Sequence, residues 1–191
     1  MINELEKNNF EKQLSKFQNI MTIPDEYTLS RVIEGMQNGQ PVLVFRYERE
    51  ETGLGHEHFS FTIEPASNKL LGFTWFDRRF EKGASLPTKS QTKDIAEAFF
   101  EKAAPGLLQK IDHKWTAEHD ELVLINEQEV LICGMKYKCY IPEHDSYAWV
   151  IVGPGGNVMT FEQEIIWRKG RVSEKWLHDS WLKHNLKENL L

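Results

Sequence analysis

The chain has 191 residues, 40% of them hydrophobic and 12% aromatic, with 29 acidic and 23 basic side chains and a net charge of −6. That composition is globular and excludes a disordered chain. The basic runs, Arg78-Arg79 and Arg168-Lys169-Gly170-Arg171, are too short for the concentrated positive face that nucleic-acid phosphates need, so no nucleic-acid partner is expected.

Ile2, Leu5, Phe10, Leu14, Phe17 and Met21 recur at mostly three- or four-residue steps, which predicts an N-terminal amphipathic helix within residues 1–24, ended by Pro24. A shorter helix is predicted from Glu26 to Gln37, closed by Asn38-Gly39-Gln40-Pro41. The period then changes. Val42–Glu50, His58–Glu64 and Leu70–Phe76 are rich in β-branched and aromatic residues and are separated by turn-formers, as in an antiparallel meander. A further helix is expected from a cap at Thr92, with Ile95, Ala96, Phe99, Phe100 and Ala103 on its apolar face and Pro105-Gly106 beyond its end. Strand-like segments return in LLQKIDHKW, ELVLI, EVLICGMKYKCYI, YAWVIVG and NVMTFEQEIIW. A last helix is read from Ser173, as its cap, to Asn189.

Laid on itself with an offset of 88, Val42–Phe73 falls without gaps on Val130–Phe161. Phe61 then meets Trp149, Ile63 meets Ile151 and Phe73 meets Phe161. A repeated helix-plus-meander unit follows, one copy over residues 25–80 and the other over 90–168, with a C-terminal helix in 172–191. The fold class is therefore α+β: two tandem helix-plus-antiparallel-β-meander units, packed as one body between terminal helices. The overlay also interprets Gly153-Pro154-Gly155-Gly156. A phosphate-cradling loop leads from a strand into a helix, whereas NVMTFEQE alternates like a strand. In the first copy Pro65-Ala66-Ser67-Asn68 holds the same place, so both are hairpin turns, with Asn68 and Gly156 suited to positive φ.

The helix DIAEAFFEKAAPG (Asp94–Gly106) and the closing stretch YAWVIVGPGGNVMTFEQEIIW (Tyr147–Trp167) resemble tandem PepSY-type domains, loosely over Val42–Trp167. The resemblance implies a non-catalytic module that restrains a peptidase or binds a partner protein, and it implies no catalytic residue and no cofactor. The start MINELEKNNFEKQLSKFQ lacks the apolar core of an export signal, and no apolar run is long enough to cross a bilayer. Most such domains act outside the cytoplasm. Here no membrane is expected, and the two thiols, Cys133 and Cys139, fit no common zinc spacing and point to a reducing, cytoplasmic setting.

Chemical candidates are few. His56 and His58 would share one face of a strand, and His144 lies at the matching place in the second copy, so a composite metal site is conceivable, although exposed hairpin tips are the simpler reading. Asp77 beside Arg78 and Arg79 should stay ionised in a salt bridge. Glu162 and Glu164 alternate on one face of the last strand near Trp167 and Arg168. In the final helix Leu182, Leu186 and Leu190 form an apolar stripe opposite Leu177 and Trp181, a candidate surface for a protein or peptide partner or for a second copy in a homodimer. The leading expectation is a non-enzymatic protein- or peptide-binding protein. The alternative is a small-ligand binder or hydrolase with its site between a curved sheet and a helix.

Overall fold

A computed structural model describes residues 4–50 and 53–186. The elements are α1 (Glu4–Gln18), β1 (Thr28–Gln37), β2 (Gln40–Glu48), β3 (His58–Glu64), β4 (Lys69–Phe76), α2 (Lys89–Ala103), β5 (Asp112–Ile125), β6 (Gln128–Ile141), β7 (Ser146–Val152), β8 (Val158–Ile165) and α3 (Asp179–Asn185). The eight strands form one antiparallel sheet in the order β1-β2-β3-β4-β8-β7-β6-β5. Two four-stranded meanders thus meet edge to edge at β4–β8, giving the α+β class expected. No helix among the described residues is long and apolar enough to cross a membrane.

The region read as a helix over Glu26–Gln37 is instead strand β1. Asn38 and Gly39 both take positive φ (51° and 79°), the conformation of a two-residue hairpin turn, so this pair reverses the chain between β1 and β2 rather than ending a helix. LLQKIDHKW and ELVLI merge, from Asp112 onward, into the single 14-residue strand β5. The helix cap lies earlier than expected. Thr88 accepts from the Gln91 amide while the Gln91 side chain accepts from the Thr88 amide, a capping box; Thr92 is buried and donates to the Thr88 carbonyl.

Both hairpin turns are as read. Asn68 (φ 54°) reverses β3 into β4, and Gly155 and Gly156 (φ 71° and 78°) reverse β7 into β8. At the joint Phe73 faces Phe161, Gly72 faces Glu162 and Thr74 faces Thr160, and the 88-residue offset exchanges these pairs among themselves, as a local twofold requires. Farther out the register slides. Phe73 pairs with Phe61 whereas Phe161 pairs with Val150, so Phe61 corresponds to Val150 and not to Trp149. The turn between Val152 and Val158 holds one residue more than the turn between Glu64 and Lys69, and this extra residue accounts for the slip, which puts Phe61 and Trp149 on opposite faces.

Both long helices lie on one face. The Phe17 ring of α1 stacks on Phe61 at 3.9 Å, Phe99 and Phe100 of α2 meet Phe161 at 5.5 and 5.8 Å, and Phe73 touches both Phe17 and Phe99. Phe10 and Leu14 pack on the same core; Ile2 lies outside the described residues, as does the Leu5 side chain. On the back face, the C-terminal segment crosses the first meander. Leu182 and Trp176 are buried in a second cluster with Ile33, Val42, Val44 and Leu71. A Cβ on Gly35 would stand 2.3 Å from the Trp176 ring, so this strand position has room only for glycine.

Candidate functional site

Strand alternation decides what faces outward on the second meander. Tyr137, Cys139 and Ile141 point from β6 into the helix-side core, which leaves Lys136 and Lys138 on the back. Register then lines up neighbours. Trp115 of β5 pairs with Lys138, Lys138 with Trp149, and Trp149 with Glu162, forming one row across the sheet. The adjoining row runs Lys136, Ile151, Thr160, Thr74. After β8 the chain turns back, and a bridge between Trp167 and Arg171 holds Trp167 over these rows.

Lys138 Nζ consequently sits against four rings, 4.6 Å from the centroid of Tyr147, 4.8 Å from Trp167, 5.6 Å from Trp115 and 5.9 Å from Trp149. Lys136 Nζ lies 4.0 Å over Trp149. Neither ammonium has an ion pair among the described residues. Burial lowers the pKa of both, that of Lys136 to about 8. Trp115 and Trp167 are each 43% exposed, so the patch is open to solvent.

Beside it, Glu162 is fully buried. Arg171 donates to it twice (2.7 and 3.1 Å) and His178 Nε2 approaches to 3.5 Å. Desolvation raises its pKa, but Arg171 and His178 outweigh that and hold the carboxyl well below its usual range. Glu121 is engaged by His119 at 2.9 Å. Together with Thr74, Thr160, Ile151, Lys175 and Leu177 these residues enclose a chamber of about 180 Å3, with the β5–β6 arm on one side and the C-terminal segment on the other. The arm is tied down at its tip, where the Leu124 amide donates to the Gly55 carbonyl and the Lys82 amide to the Leu131 carbonyl.

The candidates from sequence are dispersed. Glu162 and Glu164 do not share a site, because Glu164 has φ of 59°, leaves the alternation and pairs with Lys69 at 2.8 Å. His58 is buried beside Phe76 and Asp179, His56 reaches toward Glu127, and His144 lines a different groove, so the composite metal site is not assembled. Among the described residues no three His, Cys, Asp or Glu side chains are grouped to hold a metal. Asp77 is an ion-paired carboxylate, with Arg49 and Arg79 as partners and a pKa lowered to about 2; Arg78 instead binds Glu57. The last helix is only seven residues long, and Ser173, expected as its cap, accepts from the Ile166 amide and donates to Asn38. Leu182 is 2% exposed and belongs to the back-face cluster; Leu186 packs partly against it, and Leu190 lies outside the described residues. An outward stripe therefore does not form at Leu182, because the helix stops early and this side is its docked side.

A larger groove of about 630 Å3 lies between the C-terminal ends of α1 and α2. Its lysines have structural work. Lys16 and Lys102 occupy last helical turns, where a cation complements the macrodipole. Lys69 and Lys110 are paired with Glu164 and Glu143.

A family model described as the YcdB, YcdC repeated domain matches residues 10–164. The chain belongs to this repeated-domain family. The matched stretch of the YcdB, YcdC repeated domain runs from within α1 into the end of β8, so Lys136, Lys138 and Trp149 lie inside it while Trp167, Arg171 and the rest of the C-terminal segment lie beyond. No curated protein matches the chain. Among solved structures, the C-terminal domain of YpeB from Bacillus megaterium is similar at 14% identity over 82% of this chain, with a TM-score of 0.28. The chain spans 64% of the length of that structure.

Proposed function

We propose that this chain is a PepSY-like, non-enzymatic binding module of the cytoplasm, and that the uncovered back face of its second meander takes an acidic segment of a partner protein. The observation that carries this reading is Lys138, a cation set among four aromatic rings with no carboxylate partner among the described residues. Tryptophan, tyrosine and arginine dominate the energetics of protein interfaces, and an unpaired lysine at the centre selects an acidic partner. The first meander supplies the contrast, since its back face is already covered by Trp176 and Leu182.

A non-catalytic role is supported by the state of the reactive groups. Asp77 and Glu162 are held ionised by guanidinium partners. Burial pushes the thiols of Cys133 and Cys139 up to about 11 and 12, far from nucleophilic at neutral pH.

Fluorescence anisotropy with labelled peptides of equal length, one rich in Asp and Glu, one neutral and one rich in Lys, tests the reading. The acidic peptide should bind best, and Lys138→Gln and Trp167→Ala should each weaken it by about tenfold. Equal binding of acidic and neutral peptides, or unchanged affinity in both variants, contradicts it.

A further inference from the structure

We infer that the chamber beside the aromatic patch is a site for a small monocarboxylate, held at its carboxylate by Lys136 and along its apolar body by Trp149, Ile151 and Trp167. Charge accounting within the walls points there. Glu162 is ion-paired with Arg171, and with neutral histidines Glu121 offsets one further positive charge. Lys136 and Lys175 have no ion pair among the described residues, and three cations (Lys136, Arg171 and Lys175) face two carboxylates, an excess of one positive charge. The chamber thus carries an uncompensated positive charge next to rings and aliphatic carbons, the complement of an anion with a hydrocarbon body.

The floor adds a directed donor. Thr74 and Thr160 meet through their hydroxyls at 3.1 Å, and both are buried. One of the two hydroxyl hydrogens is used between them, which leaves the other to donate. Size sets the ligand class. A water molecule takes about 30 Å3, so a space of about 180 Å3 has room for about six waters, the scale of a small carboxylate. Burial pushes the Lys136 amine down to about 8, while Glu162 and Glu121 act in the opposite direction.

This inference does not rest on the acidic-peptide reading, because small carboxylates address the chamber alone. Isothermal titration of the full chain with benzoate and butyrate, against benzamide, butyramide and inorganic phosphate, reads it directly. Each carboxylate should bind at least about tenfold more tightly than its amide and than phosphate, since a charge-assisted contact is lost in the amide. Lys136→Met should weaken the carboxylates by about tenfold, while Lys138→Gln, outside the chamber walls, should change them by less than about twofold. Equal affinity of acid and amide, phosphate binding as tight as benzoate, or the same loss in both lysine variants would overturn the assignment. Should Lys136→Met fail to give a cooperative thermal melt, the acid-to-amide ratio in the unaltered chain decides alone.

Discussion

Lys138 keeps its charge against ring faces where a carboxylate partner would be the ordinary arrangement. Each cation–ring contact contributes about 0.5–1 kcal/mol when exposed and about 2 kcal/mol when desolvated, so four rings offset part of the cost of burial. They do not cancel it, and the amine titrates below the usual lysine value. His58 shows the same physics at a fully buried site. Its Nδ1 donates to the His56 carbonyl at 2.9 Å, and burial, with Arg46 nearby, pushes its pKa down to about 4 despite Asp179 and Glu48. In an unfolded chain the value is about 6.5. Between those values the unfolded state binds the extra proton, so the contribution of neutral His58 is intact above pH 6.5 and is lost as the pH falls toward 4, by roughly 3 kcal/mol in all. Urea melts across this window should show the loss, and His58→Gln should flatten it; a parallel slope in the variant would assign the effect elsewhere. In sequence, the alternation of KYKCY already sets Lys136 and Lys138 on one face. Trp115 and Trp167 were not legible as their neighbours, because pairing register and a chain reversal after β8, not local spacing, bring them together.

At the scale of elements, the C-terminal segment is held by tertiary contacts, since seven helical residues are too few to be stable alone. Arg46, fully buried, donates to Glu48 and twice to Asp179 (2.7 and 3.0 Å), fastening α3 to β2. Asp179→Ala should cost about 3–5 kcal/mol, because it removes one of the two carboxylates that compensate a buried guanidinium. Leu182→Ala should cost about 2–5 kcal/mol through the cavity it leaves. Chemical denaturation measures both, and a loss under about 0.5 kcal/mol in either would mean that the segment is not docked. The final helix was misjudged in sequence because leucines at four-residue steps fit an outward stripe and a docked side equally well. β1 was misread for a related reason. Its residues tolerate either state, and the Asn38-Gly39 pair that decides between them serves helix ends and hairpins alike.

For the whole molecule, the antiparallel meanders were legible because strand alternation and short turns fix them locally, but the helix expected inside the first unit is strand β1. The joining of the meanders into a single sheet at β4–β8 was not legible, since no local signal names which edges pair. Nor was the register slip that puts Trp149 on the back face, which depends on one extra residue in the second hairpin turn. The resulting asymmetry governs the functional reading. Both meanders are covered by helices on one face, but among the described residues only the first is covered on the other. Six tryptophans report on this arrangement. Trp115, Trp149 and Trp167 surround Lys138, Trp75 lies in the helix-side core against Phe80, and Trp176 and Trp181 pack together in the C-terminal segment. Titrating 15N-labelled protein with the acidic peptide while following the six indole N–H signals is the most direct test. The expected result is saturable movement of the Trp115, Trp149 and Trp167 signals with Trp75, Trp176 and Trp181 left in place; movement confined to the latter three, or none at saturating peptide, would contradict a binding face on the second meander.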